Sequence, residues 1–299
     1  MRHILLICTL FLLSQCSQIA YNETNNYKNA GGEAFNNYWY QGLAELNSYE
    51  LEQVRYGQIH QGEAVLIFVT EDFSKSKQVK LDNPQAVPDD AVKVLKLNAT
   101  KNFITGIYPY SLMMSVFTPV NQEEFPHSLK VSTTTQDWCG HAFEQINYKK
   151  NKFAVQVNSY FESEGDKEFT VGNALLEDEI WNMIRLNPEN LPIGEVKIIP
   201  ATFFARLKHQ ETQVETAKAS LTNSRDSLST YSISYPQYNR ELKITFEKDF
   251  PHKITAFEET LQSRGKTLTT KAKLKESMQL DYWNKNNNED TKYRTELGL

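Results

Sequence analysis

Cysteine is scarce in this chain, with 3 among 299 residues, and glycine (12) and proline (10) are sparse as well. Three cysteines cannot build a disulfide scaffold, and so little glycine and proline excludes a collagenous or low-complexity chain. Basic residues do not exceed acidic ones: 32 Lys and Arg stand against 37 Asp and Glu. Without a basic surplus the chain is not expected to bind nucleic acid, which requires clustered Lys and Arg. The strongest catalytic signatures are missing too: there is no phosphate-binding glycine loop, Gly-x-Ser-x-Gly, His-Glu-x-x-His or Cys-x-x-Cys. No cofactor is implied, and no ligand set at metal spacing is found.

What is present at the N-terminus gives a location. Arg2 and His3 precede an apolar run from Ile4 to Leu13 broken only by Thr9. The run is too short to span a bilayer and reads as the apolar region of a secretory signal, residues 1–15. Leu13-Ser14-Gln15-Cys16 fits a bacterial lipobox, although Gln15 departs from the usual small residue. Cys16 is then the lipid-attachment residue, and acyl chains contribute about 0.8 kcal/mol per buried methylene. Ser17 follows, with no Asp to retain the product at the inner membrane, so an outer-membrane lipoprotein facing the periplasm or the cell surface is expected. Residues 16–32 are polar and Asn-rich and read as a flexible tether.

Residues 33–299 read as a single β-rich domain, with a polar tail expected to fray from about residue 284. Ala64 to Val69 is an apolar run of strand length, with Gln61-Gly62 read as the turn before it. Leu112, Met114 and Val116 alternate with Met113, Ser115 and Phe117 after a corner at Tyr108-Pro109-Tyr110, and Phe153, Val155 and Val157 form another inward row. Ala201 to Lys208 reads as a strand turning at His209-Gln210 into Val214 to Leu221, and Leu242 to Glu247 as one turning into Lys253 to Glu258. In the last strand Leu268, Thr270, Ala272 and Leu274 face inward, while Lys271, Lys273 and Lys275 form a solvated or guarded face. One amphipathic helix is expected after Asn173, with Leu176, Ile180, Met183 and Ile184 on its buried face. Its acidic triplet, Glu177-Asp178-Glu179, reads as solvated. About a dozen strands imply a large curved antiparallel sheet, a sandwich or a half-open barrel.

The one cluster with chemical interest is Asp137-Trp138-Cys139-Gly140-His141. On a continuing strand Asp137, Cys139 and His141 share a face, as carboxylate, thiol and imidazole in nucleophilic catalysis do, or as part of a metal site. The competing reading is structural: a half-buried Cys at a strand end, Trp138 in the core and Gly140 opening a bend. The other histidines, His60, His127, His209 and His252, fall at expected turns.

Several segments resemble a family of uncharacterised bacterial lipoproteins that often carry the label septum formation inhibitor Maf. They are Tyr38-Trp39-Tyr40-Gln41-Gly42 with Ala44-Glu45, Leu51 to Gly57, Thr105 to Ser111, and Lys130 to Thr133 with Asp137 to His141. The resemblance covers most of the chain after the tether. The label implies a nucleotide pyrophosphatase that inhibits septum formation, but Maf enzymes are cytoplasmic, with a Ser-Pro-Arg-Arg phosphate loop that this chain lacks. No residue here takes a role from that activity. The expectation is thus a non-enzymatic envelope lipoprotein that binds a lipid, an apolar ligand or an envelope protein. A thiol- or metal-dependent enzyme using Asp137, Cys139 and His141 is the alternative, and Maf-like activity stands third.

Overall fold

A computed structural model describes residues 32–224 and 227–299. The expected signal, Cys16 and nearly all of the tether lie outside the described residues. Fifteen strands form one sheet: β1 (Ala44–Arg55), β2 (Gln58–Ser74), β3 (Ala91–Thr105), β4 (Tyr108–Pro119), β5 (Lys130–Asp137), β6 (Gly140–Lys149), β7 (Lys152–Ser159), β8 (Lys167–Gly172), β9 (Leu175–Leu176), β10 (Gly194–Ile199), β11 (Glu215–Asn223), β12 (Leu228–Tyr235), β13 (Arg240–Glu247), β14 (Ile254–Ser263) and β15 (Lys266–Leu280). The helices are α1 (Gly32–Trp39), α2 (Ile180–Leu186), α3 (Thr202–Lys208) and α4 (Thr291–Glu296). None of the described helices is long and apolar enough to cross a membrane.

Sequence alternation produces the strands, and tight turns set their register. Tyr56 and Gly57, Lys150 and Asn151, and Arg264 and Gly265 all carry positive φ, which suits two-residue hairpin turns. The first of these displaces the turn expected at Gln61-Gly62, and β2 runs straight through that position. Gly62 is required there for a different reason, because a Cβ would lie 2.3 Å from the Asn102 carbonyl oxygen of β3. Likewise the turn before β4 falls at Gly106-Ile107, one step earlier than the expected corner. The inward rows Leu112/Met114/Val116 and Phe153/Val155 are buried as read, and the β15 lysines are exposed.

The strands run in the order β8-β7-β6-β5-β4-β3-β2-β1-β15-β14-β13-β12-β11-β10-β9, antiparallel apart from the β9–β10 pair. The two edges, β8 and β9, are consecutive in the chain, and only Asn173 and Ala174 separate Gly172 from Leu175. Three peptide steps of 3.8 Å hold those Cα atoms within about 11 Å of each other. The large curved sheet is therefore open in hydrogen bonding but curled until its edges nearly meet along a seam.

The space enclosed is filled by the chain itself. Residues 177–190 enter the concavity as a short 3-10 turn, α2 and a second 3-10 turn. Ile180, Met183 and Ile184 of α2 join a single apolar core that runs from Phe35 to Ala272. Asn182 Nδ2 donates to the Leu95 carbonyl (3.0 Å) and to Thr118 Oγ1 (2.8 Å), anchoring α2 on β3 and β4.

Three expectations fail here. Glu177, Asp178 and Glu179 are buried, because the segment turns into the sheet instead of lying across its outside. Thr202–Lys208 is helical, with Thr202, Phe203, Phe204 and Ala205 all buried because the segment is packed on both sides. The tail beyond Asn284 does not fray: it folds into a 3-10 turn and α4, and Leu297 packs with Leu46 and Val69 on the convex face.

Candidate functional site

The sequence candidates do not converge. Instead of continuing one strand, the chain reverses between β5 and β6 at Trp138-Cys139, so Asp137 pairs with Gly140 and Gln136 with His141. Asp137 Oδ1 accepts a hydrogen bond from the Cys139 amide (2.6 Å), and its carboxylate thereby shapes the turn. Cys139 and His141 are both exposed, and Trp138 is 69% exposed rather than in the core. Gly140 packs under the Tyr160 ring, where a Cβ would come within 2.2 Å. Among the described residues no group of three His, Cys, Asp or Glu side chains is arranged to hold a metal ion.

Acidic side chains of the interior form several distinct arrangements. The first joins α2 to β1: Arg185 donates from both terminal nitrogens to Glu45 at 2.6 and 2.7 Å, and its Nε donates to the Pro251 carbonyl. The second joins Arg240 to Glu177 and Glu259, with Tyr235 also donating to Glu177 at 2.6 Å. Lys101 and Asp178 lie beside this group around a void of about 40 Å³, too small for more than a water or two. Burial lowers the Lys101 ammonium, and burial raises the Asp178 carboxyl to about 7, although Thr202 donates to it from both its amide and its hydroxyl. Both arrangements lock the inserted segment to the sheet. Glu179 does the same at the other end of β4, accepting from the Ser128 amide (2.6 Å) and lying 3.0 Å from His127 Nδ1.

The third arrangement lines a cavity. Behind the seam, between β5–β8 and the α3 segment, is a space of about 270 Å³, room for roughly nine waters at about 30 Å³ each. It adjoins an open groove of about 750 Å³ between β8 and residues 211–214. Val157, Phe169 and Ala205 supply apolar wall, while Glu144, Glu164 and Arg206 reach it with polar groups. Arg206 Nη1 lies 3.0 Å from Glu164 Oε1, and His209 Nδ1 contacts the same carboxylate. Lys167 and Glu211 approach to 3.8 Å at the mouth.

Thr135 and Arg206 are on the cavity wall, and among the described residues Thr135 Oγ1 and Arg206 Nε have no hydrogen-bond partner, but both atoms are sealed from the cavity space itself. Leaving such groups unpaired costs about 1–3 kcal/mol each. Glu144 receives a hydrogen bond from the Thr212 hydroxyl, and no cation among the described residues lies within ion-pair distance of it. Burial, reinforced by the nearby Glu164 charge and only partly offset by Thr212, raises its carboxyl to about 7.

Sequence reasoning passed over every one of these residues. Glu144 and Thr135 occupy ordinary strand positions, and Arg206 lay in a segment read as a strand. Only the alternation Thr133, Thr135 and Ala142, Glu144, Ile146 put polar side chains on an otherwise apolar face. No protein family, curated protein or solved structure matches this chain.

Proposed function

We propose that this protein is a cell-envelope lipoprotein, anchored through Cys16 in the outer membrane, that binds a small amphipathic ligand in the cavity behind the seam rather than catalysing a reaction. The observation that carries the binding reading is a cavity with both apolar and charged side chains on its wall, opening beside a wide groove. The cavity volume, about 270 Å³, sits just below the roughly 300–1,000 Å³ of ordinary ligand sites, which favours a compact ligand over an enclosed long acyl chain. Mixed lining favours a ligand with an apolar body and a few polar groups. The register that puts Asp137 and His141 on opposite faces of the hairpin, with Cys139 in an exposed turn, speaks against the thiol-enzyme alternative.

A fragment screen of the purified full chain by protein-observed NMR tests the binding reading. Hits are expected to shift the signals of Thr135, Glu144 and Arg206, and Thr135→Leu, which fills part of the cavity, is expected to weaken them. A screen with no shifts at these residues refutes the reading. Anchoring is checked separately: palmitate label is expected on the wild type in cells and lost in Cys16→Ser.

A further inference from the structure

Resting on that reading, we propose that the seam cavity selects an organic ammonium, held by the Glu144 carboxylate with its apolar body against Val157 and Phe169. Charge around the cavity points to a cation. Glu164 is neutralised by Arg206 at 3.0 Å, and Glu211 by Lys167 at 3.8 Å, whereas Glu144 has only the neutral Thr212 hydroxyl. A carboxylate has about four acceptor positions, so most of those on Glu144 remain for a donor.

Binding is also linked to pH. Glu144 is raised to about 7, so an ammonium ligand must pull off its proton below that pH. Affinity then falls up to tenfold per pH unit below about 7 and levels off above it. The groups facing Glu144 are Glu164 before β8, Arg206 and His209 of α3, Lys167 of β8, Glu211, and Asp178, which titrates in the same range. Glu144→Gln separates its contribution from theirs while keeping an oxygen to accept from Thr212.

The experiment is calorimetry on the full chain with three isosteres, 3-methylbutylamine, 3-methylbutan-1-ol and 3-methylbutanoate, at pH 5.5, 7.0 and 8.5. The amine is expected to bind at least tenfold more tightly than the alcohol or the carboxylate at pH 8.5, and to lose that preference at pH 5.5. In Glu144→Gln, with circular dichroism and melting temperature unchanged, the preference and its pH dependence are expected to vanish. Binding of all three with similar affinity overturns the ammonium assignment and leaves the cavity reading standing. Tighter carboxylate binding overturns it too, and binding of none overturns both.

Discussion

Replacing Arg185 by Met leaves the Glu45 carboxylate buried without its cation. Arg185 and Glu45 are 0% and 1% exposed, and two charge-assisted hydrogen bonds of 2.6 and 2.7 Å join them. The guanidinium also lies 4.7 Å from the Phe68 ring centre and 5.1 Å from that of Trp39. Burial alone would raise the Glu45 carboxyl, but the Arg185 charge and hydrogen bonds, with those from Tyr38 and Asn47, hold it down to about 2 against an ordinary 4.5. At 1.36 kcal/mol per pH unit that difference corresponds to about 3 kcal/mol, consistent with the roughly 3–5 kcal/mol lost when one partner of a buried pair is removed. The folded value lies below the unfolded one, so this stability is present above about pH 4.5 and lost as pH falls toward 2. In urea, with a slope near 3 kcal/mol/M, Arg185→Met is expected to lower the midpoint by about 1–1.5 M at pH 7. Adding Glu45→Gln removes the stranded charge and is expected to recover at least half of the loss. A midpoint shift under about 0.3 M, or a double variant as unstable as the single, refutes the reasoning.

Asp178→Asn is expected to flatten the pH dependence of stability. Its folded carboxyl is raised to about 7 from 3.8, so the folded state holds the proton more tightly and stability falls as pH rises between those values, by up to about 4 kcal/mol; urea melts at pH 5 and 8 that differ as much in the variant as in the parent would exclude this. Gly62→Ala forces a Cβ onto β3 backbone and is expected to cost about 1–3 kcal/mol by thermal or urea unfolding, whereas an unchanged midpoint would mean that β2 and β3 separate more easily than drawn. Cys139 is exposed in a turn, so it is expected to react with a thiol reagent in the native state without prior unfolding, and Cys139→Ser to shift stability by less than about 0.5 kcal/mol. Protection of the thiol until unfolding would contradict the hairpin geometry.

The strands were legible because alternation is a local property. Leu112, Met114 and Val116 face the core whatever lies beyond it, and the same holds for the β15 row. The fate of a charged residue depends on partners that sequence spacing does not reveal. Glu177 is buried because Arg240 and Tyr235 reach it from strands about sixty positions away, and Arg185 because Glu45 meets it from 140 positions away. The acidic triplet looked solvated for want of those partners. Thr202–Lys208 failed for a related reason: Phe203-Phe204 suits a strand in isolation, but the segment is pinned between Asp178, which accepts from the Thr202 amide, and the seam.

Composition and pattern determined by themselves that this is a β protein of many antiparallel strands, in a curved sheet, a sandwich or a half-open barrel, and that Asp137, Cys139 and His141 stand close in the chain; the single curved sheet among those three is set by the tertiary structure. Tertiary structure decided whether closeness in the chain becomes a site: the turn at Trp138-Cys139 keeps the Asp137 carboxylate on the Cys139 amide but puts His141 on the opposite face from Asp137. It also decided where the cavity lies. β8 and β9 are nearly adjacent in sequence yet form opposite edges of fifteen strands, so the sheet must curl through its full width before its ends meet. That closure sets Thr135, Glu144 and Arg206 around one space, although they lie up to 71 positions apart in the chain. Their juxtaposition depends on the summed twist and curvature of the whole sheet, a quantity no local segment encodes.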